Sequence, residues 1–131
     1  MLAVSDYHVA YGQSEVIHGL DIDVGKSEIV AILGRNGMGK TTLMKSLAGL
    51  VPSSKGSVKI GETDISNCKS FERVKAGLAL VPQGRMIFST MTVKENIETG
   101  LTTVKDKKIP ESLYTLFPVL KEMKSRRGGN L

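Results

Sequence analysis

An α/β fold is predicted by three features of the 131-residue sequence. A nearly continuous apolar run, Glu28-Ile29-Val30-Ala31-Ile32-Leu33, has the pattern of a strand buried on both faces. A glycine-rich loop, 34–39, follows it directly. From Lys40 onward, Leu43, Met44, Leu47 and Leu50 recur at helical spacing. Strand, glycine loop and helix in that order are a building unit of α/β sheets.

The other elements follow from local pattern. Residues 2–11 and 14–24 read as two strands around Gly12-Gln13, on β-branched residues (Val4, Val9, Val16, Ile17, Ile22, Val24) and partial alternation. Gly25-Lys26-Ser27 turns the chain into the apolar run, and Gly49 with Pro52 ends the helix begun at Lys40. Ser53-Ser54-Lys55-Gly56 is turn chemistry, and 57–60 is a short strand. A helix over 70–76 closes at Gly77, and 78–81 is a second buried strand that stops at Pro82. Thr92 caps a helix over 93–99, with Glu95 completing a capping box. The polar stretch 102–108 is a surface loop. Pro110 suits the first turn of a helix carrying Leu113, Leu116 and Phe117. Pro118 breaks or kinks it before a second segment at 119–125.

Composition narrows the class. Hydrophobic residues make up 40% and charged residues 24%, which fits a globular chain and excludes disorder, collagen and a disulfide scaffold. The single Cys68 forms no internal disulfide and has no CxxC or His neighbour, so a metal site there is not expected. There is no signal-peptide pattern, and no apolar run approaches the roughly 20 residues of a bilayer span. A soluble, cytoplasmic chain is expected. The formal charge of +5 is uneven: residues 1–33 sum to −4 and 34–131 to +9. Most of these charges read as solvated faces, and with no aromatic–basic recognition pattern nucleic acid is not an expected partner.

The chemistry lies in the loop. Gly34-Arg35-Asn36-Gly37-Met38-Gly39-Lys40-Thr41 fits G-x-x-x-x-G-K-[ST]. With this composition the bare pattern arises by chance about twice in a hundred chains, so its setting between a strand and a helix carries the weight. Glycines let the backbone approach phosphate oxygens, and the N-terminus of the following helix points N–H groups at them. Lys40 reaches β- and γ-phosphates, and the Thr41 hydroxyl ligates Mg²⁺. A GTPase is disfavoured, because no Asn-Lys-x-Asp element is present.

Tyr11-Gly12, the loop 34–42 and Leu80-Val81-Pro82-Gln83 resemble three landmarks of the ATP-binding-cassette ATPases, in that family's order. Gly84-Arg85-Met86-Ile87-Phe88, Thr92-Val93-Lys94-Glu95-Asn96 and Leu116-Phe117-Pro118-Val119-Leu120 resemble the ATP-binding subunits of branched-chain amino-acid importers. The loop wording and Gln83 look closest to the urea-type branch. The resemblance implies a P-loop NTPase fold of the ABC ATPase kind, with an N-terminal antiparallel β subdomain over 1–33, a core over 34–83 and the start of a helical subdomain over 84–131. It implies ATP and Mg²⁺ as cofactors. Gly34, Arg35, Asn36, Gly37, Met38, Gly39, Lys40, Thr41 and Thr42 would hold the phosphates, and Tyr11 would stack on adenine. Lys40 and Gln83 would act in catalysis, and Thr41 and Gln83 would meet the metal. Met86 and Phe88 are implied contacts to a transmembrane permease subunit, which would hold the chain peripherally at the inner face of the cell membrane. A head-to-tail dimer with a second ATP-binding subunit is implied too.

Departures from the family pattern shape the expectation. No apolar run after Lys40 ends in the Asp-Glu pair that holds the metal and activates water, and Leu-Ser-Gly-Gly is absent. Arg126-Arg127-Gly128-Gly129-Asn130-Leu131 resembles the lead-in to that signature. His8 and His18 precede the loop, so neither matches the family's switch histidine, and both read as structural or surface residues. Ser27 stands where the turn usually carries glycine. The chain is therefore expected to be the N-terminal part of one ATP-binding domain, cut before the signature. It stands either for an ATPase subunit of a urea, short-amide or branched-chain amino-acid importer, or for a module that binds nucleotide without cleaving it.

Overall fold

The computed structural model describes residues 1–84 and 86–131, so Arg85, part of the 84–88 stretch noted above, lies outside the described residues. Two compact units divide the chain, Met1–Val81 and Pro82–Leu131.

In the first unit, β1 (Leu2–Tyr11) and β2 (Ser14–Val24) form an antiparallel hairpin with the bounds that the alternation predicts. β3 (Lys55–Ile60) pairs antiparallel on the other side of β1 and starts two residues before the predicted strand. β4 (Thr63–Asp64) completes the order β2-β1-β3-β4; two residues show no period from which to predict it. The β1–β2 register slips between Val4 and Tyr7, where Asp6 takes a left-handed φ of 45°. That bulge lets Val4, Tyr7 and Val9 share the buried face, which strict alternation forbids. α1 (Lys40–Leu47) lays Leu43 and Leu47 into one core with Val4, Tyr7, Val9, Ile17, Val58 and Ile65. Each large apolar side chain buried there contributes roughly 1.5–3 kcal/mol.

Neither run predicted as a buried strand is one. Residues 28–33 and 78–81 have no ladder partner among the described residues, and Ile29 and Leu33 are 96% and 90% exposed. Apolar composition favours burial, but a strand also needs a neighbour's N–H and C=O groups, and none lies alongside. Val30, Ile32, Leu78 and Leu80 instead line an open apolar cavity of ≈ 170 Å³ with Leu2 and Ile22 of the hairpin and Met44 and Leu47 of α1. α2 (Ser70–Lys75) ends one residue before the predicted limit. Gly77 N and Leu78 N close its last turn onto Val74 O and Arg73 O.

In the second unit, α3 (Val93–Thr99) has its predicted bounds and cap: Glu95 N donates to Thr92 Oγ1 at 3.2 Å and Thr92 N to Glu95 Oε2 at 2.7 Å. Asn96 clasps the preceding loop, accepting from Phe88 N and donating to the carbonyls of Phe88 and Thr92. α4 (Glu111–Leu116) has Pro110 as its N-cap, one step outside the predicted first turn. α5 (Pro118–Glu122) starts on Pro118 rather than beyond it, because a fixed φ and a missing donor cost nothing at a first helical position. Among the described residues no helix is long and apolar enough to cross a membrane.

Candidate phosphate-binding site

Gly39 joins the loop to α1 as its N-cap, with φ 84°. A Cβ there would lie 2.9 Å from Ile17 Cδ1 and 3.0 Å from Val16 Cγ1. Only glycine permits both the left-handed turn and this approach of loop to β2. The N–H groups of Lys40, Thr41 and Thr42 precede the first intrahelical acceptor, and Leu43 N is the first to bond back, to Gly39 O at 2.8 Å. The first turn holds no acid, and the sequence from Ile29 to Gly61 contains five basic residues and no Asp or Glu. An anion is the complement of that end.

Lys40 is half-buried and its Nζ arcs back over the loop, donating to Gly34 O and, at 2.8 Å, to Arg35 O. Both acceptors are neutral carbonyls, so a phosphate oxygen in the same place would make the stronger, charge-assisted bond. Thr41 is exposed beside it, and Thr42 is half-buried. Arg35, Asn36 and Met38 are exposed around the loop. This donor set (one ammonium, a hydroxyl and free helix N–H groups) fits a nucleotide phosphate with its magnesium. Tyr11 ends β1 opposite Ser14 and is 52% exposed; among the described residues no hydrogen bond or ring contact ties it to the loop. Gln83, Met86 and Phe88 belong to the second unit and are exposed, the last two by 74% and 56%.

The far end of α1 is held by residues that the sequence reading did not single out. Arg73 of α2 is buried against the last turn of α1, and Tyr7 of β1 reaches Ser46 in the same turn. A buried arginine bonded to backbone carbonyls has no local sequence signature.

His8 and His18, read as structural or surface residues, belong to a charged cluster on the sheet. His8 Nδ1 lies 2.5 Å from Glu15 Oε1 and its Nε2 2.9 Å from Asp6 Oδ1. Lys55 Nζ lies 2.7 Å from Asp6 Oδ2, and His18 Nδ1 3.1 Å from Glu15 Oε2. Glu15, then Asp6, raises the His8 pKa through these bonds. In return His8 and His18 lower that of Glu15, while Lys55 and His8 lower that of Asp6. Among the described residues no group of His, Cys, Asp and Glu is arranged to hold a metal ion.

Comparison with known proteins agrees with this geometry. The family described as ABC transporter matches residues 17–127. A high-affinity branched-chain amino acid transport ATP-binding protein, BraG of Pseudomonas aeruginosa, is 33% identical over 100% of this chain and 58% of its own length. A probable branched-chain amino acid transport ATP-binding protein, LivF of Archaeoglobus fulgidus, is 31% identical over 100% of this chain and 57% of its own. The chain thus spans a little over half the length of these relatives. A solved dimeric ATP-binding cassette, MJ0796 bound to ADP and Pi, matches with a TM-score of 0.79 at 19% identity, over 100% of this chain and 63% of that one. The architecture is therefore the ABC ATPase form of the P-loop NTPase fold, with an N-terminal sheet and a helical region, covering part of the full domain. On its glycine loop, its fold and a match across 17–127, the chain belongs to the ATP-binding domains of the ABC transporter family.

Proposed function

We propose that this chain is the nucleotide-holding N-terminal part of an ABC ATP-binding domain, with its subdivisions at 1–33, 34–83 and 84–131. The phosphates of ATP lie against 34–42, with Lys40 facing the β- and γ-oxygens and Thr41 meeting Mg²⁺. Tyr11 stacks on adenine. The observation that carries this reading is the convergence of Lys40 Nζ, the acid-free first turn of α1 and the Gly39 approach on one loop. The chain binds ATP without turning it over efficiently, because no residue in it matches the Asp-Glu pair or the signature that hydrolysis needs.

The intact protein powers an importer, with branched-chain amino acids, urea or short amides as the cargo class. Similarity to BraG and LivF, a branched-chain amino acid transport ATP-binding protein and a probable one, supports the first of these. Permease subunits meet the second unit near Met86 and Phe88 and hold the domain at the inner face of the cell membrane. A second ATP-binding subunit pairs with it head to tail; nucleic acid is not a partner.

The test is Lys40→Ala in the 131-residue chain, with MgATP binding measured by calorimetry and phosphate release measured alongside. Loss of at least a hundredfold in affinity is expected, because the substitution removes the only ammonium placed at the loop among the described residues. Unchanged affinity sinks the site assignment. Sustained turnover by the unmodified chain sinks the non-hydrolytic reading alone.

A further inference from the structure

Arg73 on α2 is 4% exposed, and a guanidinium at that depth must have its donors matched. Its hydrogen bonds go to four backbone carbonyls: Ser46 O at 3.1 Å, Leu47 O at 2.8 Å, Ser66 O at 2.7 Å and Cys68 O at 3.0 Å. Among the described residues no carboxylate forms a salt bridge with it. Ser70 Oγ, on the same helix, donates to Ala48 O at 2.8 Å. Leu47 and Ala48 supply carbonyls that the end of α1 leaves without backbone donors among the described residues, at the negative end of its dipole, and Ser46 O accepts from Arg73 as well as from Gly49 N.

Gly49 makes room for this arrangement. Its φ is 76°, and a Cβ there would stand 3.1 Å from Arg73 Nε. The turn also closes on itself through Gly49 N to Ser46 O and Leu50 N to Lys45 O. α1 is eight residues long, so this grip lies about 10 Å along the axis from Lys40 and Thr41. So short a helix moves as a rod. A slide or rotation at its C-terminal turn reappears at its first turn.

We propose that Arg73 is a positioning residue for the phosphate site, acting through α1. It sets the depth and rotation at which Lys40, Thr41 and the first-turn N–H groups face the phosphates. The inference rests on the phosphate-binding reading above. Arginine suits the task because its planar fork serves acceptors on two chain segments at once, whereas a lysine ammonium places three donors at one point.

The experiment compares the unmodified 131-residue chain with Arg73→Met, Arg73→Lys and Ser70→Ala. Affinities for MgATP and for magnesium pyrophosphate, a probe of the phosphate site alone, are measured by calorimetry, with circular dichroism and thermal melts as controls. Arg73→Met is expected to weaken both ligands by a similar factor, tenfold or more, and Arg73→Lys to recover part of the loss. Ser70→Ala is expected to weaken both about threefold with an unchanged spectrum. A lowered melting midpoint in Arg73→Met with affinities within twofold of the unmodified chain overturns the inference and leaves a purely structural role. If Arg73→Met gives no cooperative melt, the other two variants decide: unaltered affinity in both overturns the inference. Failure of the unmodified chain to bind either ligand overturns the phosphate-binding reading and the inference with it.

Discussion

The hydroxyls of Tyr7 and Ser46 meet at 2.8 Å, at a point where both residues are fully buried. One is on an interior strand of the sheet and the other on the helix that follows the glycine loop, so the bond ties sheet to helix in the middle of the core. Removing one partner leaves the other desolvated and unpaired. Tyr7→Phe and Ser46→Ala should each cost about 1–2 kcal/mol in urea unfolding. The double variant should cost clearly less than their sum. Strict additivity would show that the bond contributes nothing.

Gly39→Ala tests the approach of loop to sheet. A left-handed φ costs an L-residue roughly 1–2 kcal/mol, and the new methyl would press on Ile17 Cδ1. Lower stability and at least tenfold weaker MgATP binding are expected. Ile17→Val deletes that Cδ1, so the double variant should regain part of the stability; calorimetry and thermal melts read both effects.

Ser27 adopts φ 58° in the turn that leads into the apolar run, at a position where the resemblance noted above implies glycine. The strain is therefore real in this chain, and Ser27→Gly should stabilise it by about 0.5–1 kcal/mol once the greater freedom of glycine in the unfolded chain is offset. A melting midpoint that stays put or falls would contradict this.

The His8 cluster makes stability depend on pH. His8 has a raised pKa, so its contribution is fully present below about pH 6.5, the unfolded value, and is lost as pH rises through the higher folded one. Asp6 and Glu15 have lowered pKa values. Their contributions are present above the unfolded values of 3.8 and 4.5 and are lost as pH falls through the lower folded ones. All three act together between about pH 4.5 and 6.5. The melting difference between the unmodified chain and His8→Gln should be greatest in that window and shrink as pH rises towards 9. A difference that grows with pH would reverse the assignment.

What could be read from the sequence was local. Turn residues and β-branched alternation are contained in the segments themselves, so the bounds of the hairpin and of α3 are legible. The glycine loop is legible because its chemistry lies in eight consecutive residues. The runs 28–33 and 78–81 are not strands, because apolar content reports a tendency to be buried, while strand formation depends on a neighbour that no local pattern names. Arg73 stayed hidden for a related reason: its acceptors lie five to 27 residues away and are backbone atoms, which every residue type carries. The bulge at Asp6 had no signal either, since a slipped register looks like imperfect alternation.

The two sides of the glycine loop differ in a way that hydrogen exchange would expose. β1 has a ladder on both edges, so its amides open only with the whole unit, and α1 is anchored at its far end. Residues 28–33, which lead into the loop, form no backbone hydrogen bond with any described residue. Their amides should be among the fastest to exchange within the first unit. The glycine loop is thus hung between one fixed post and one slack cord, and any ligand that draws the cord taut loses affinity by the free energy of ordering it.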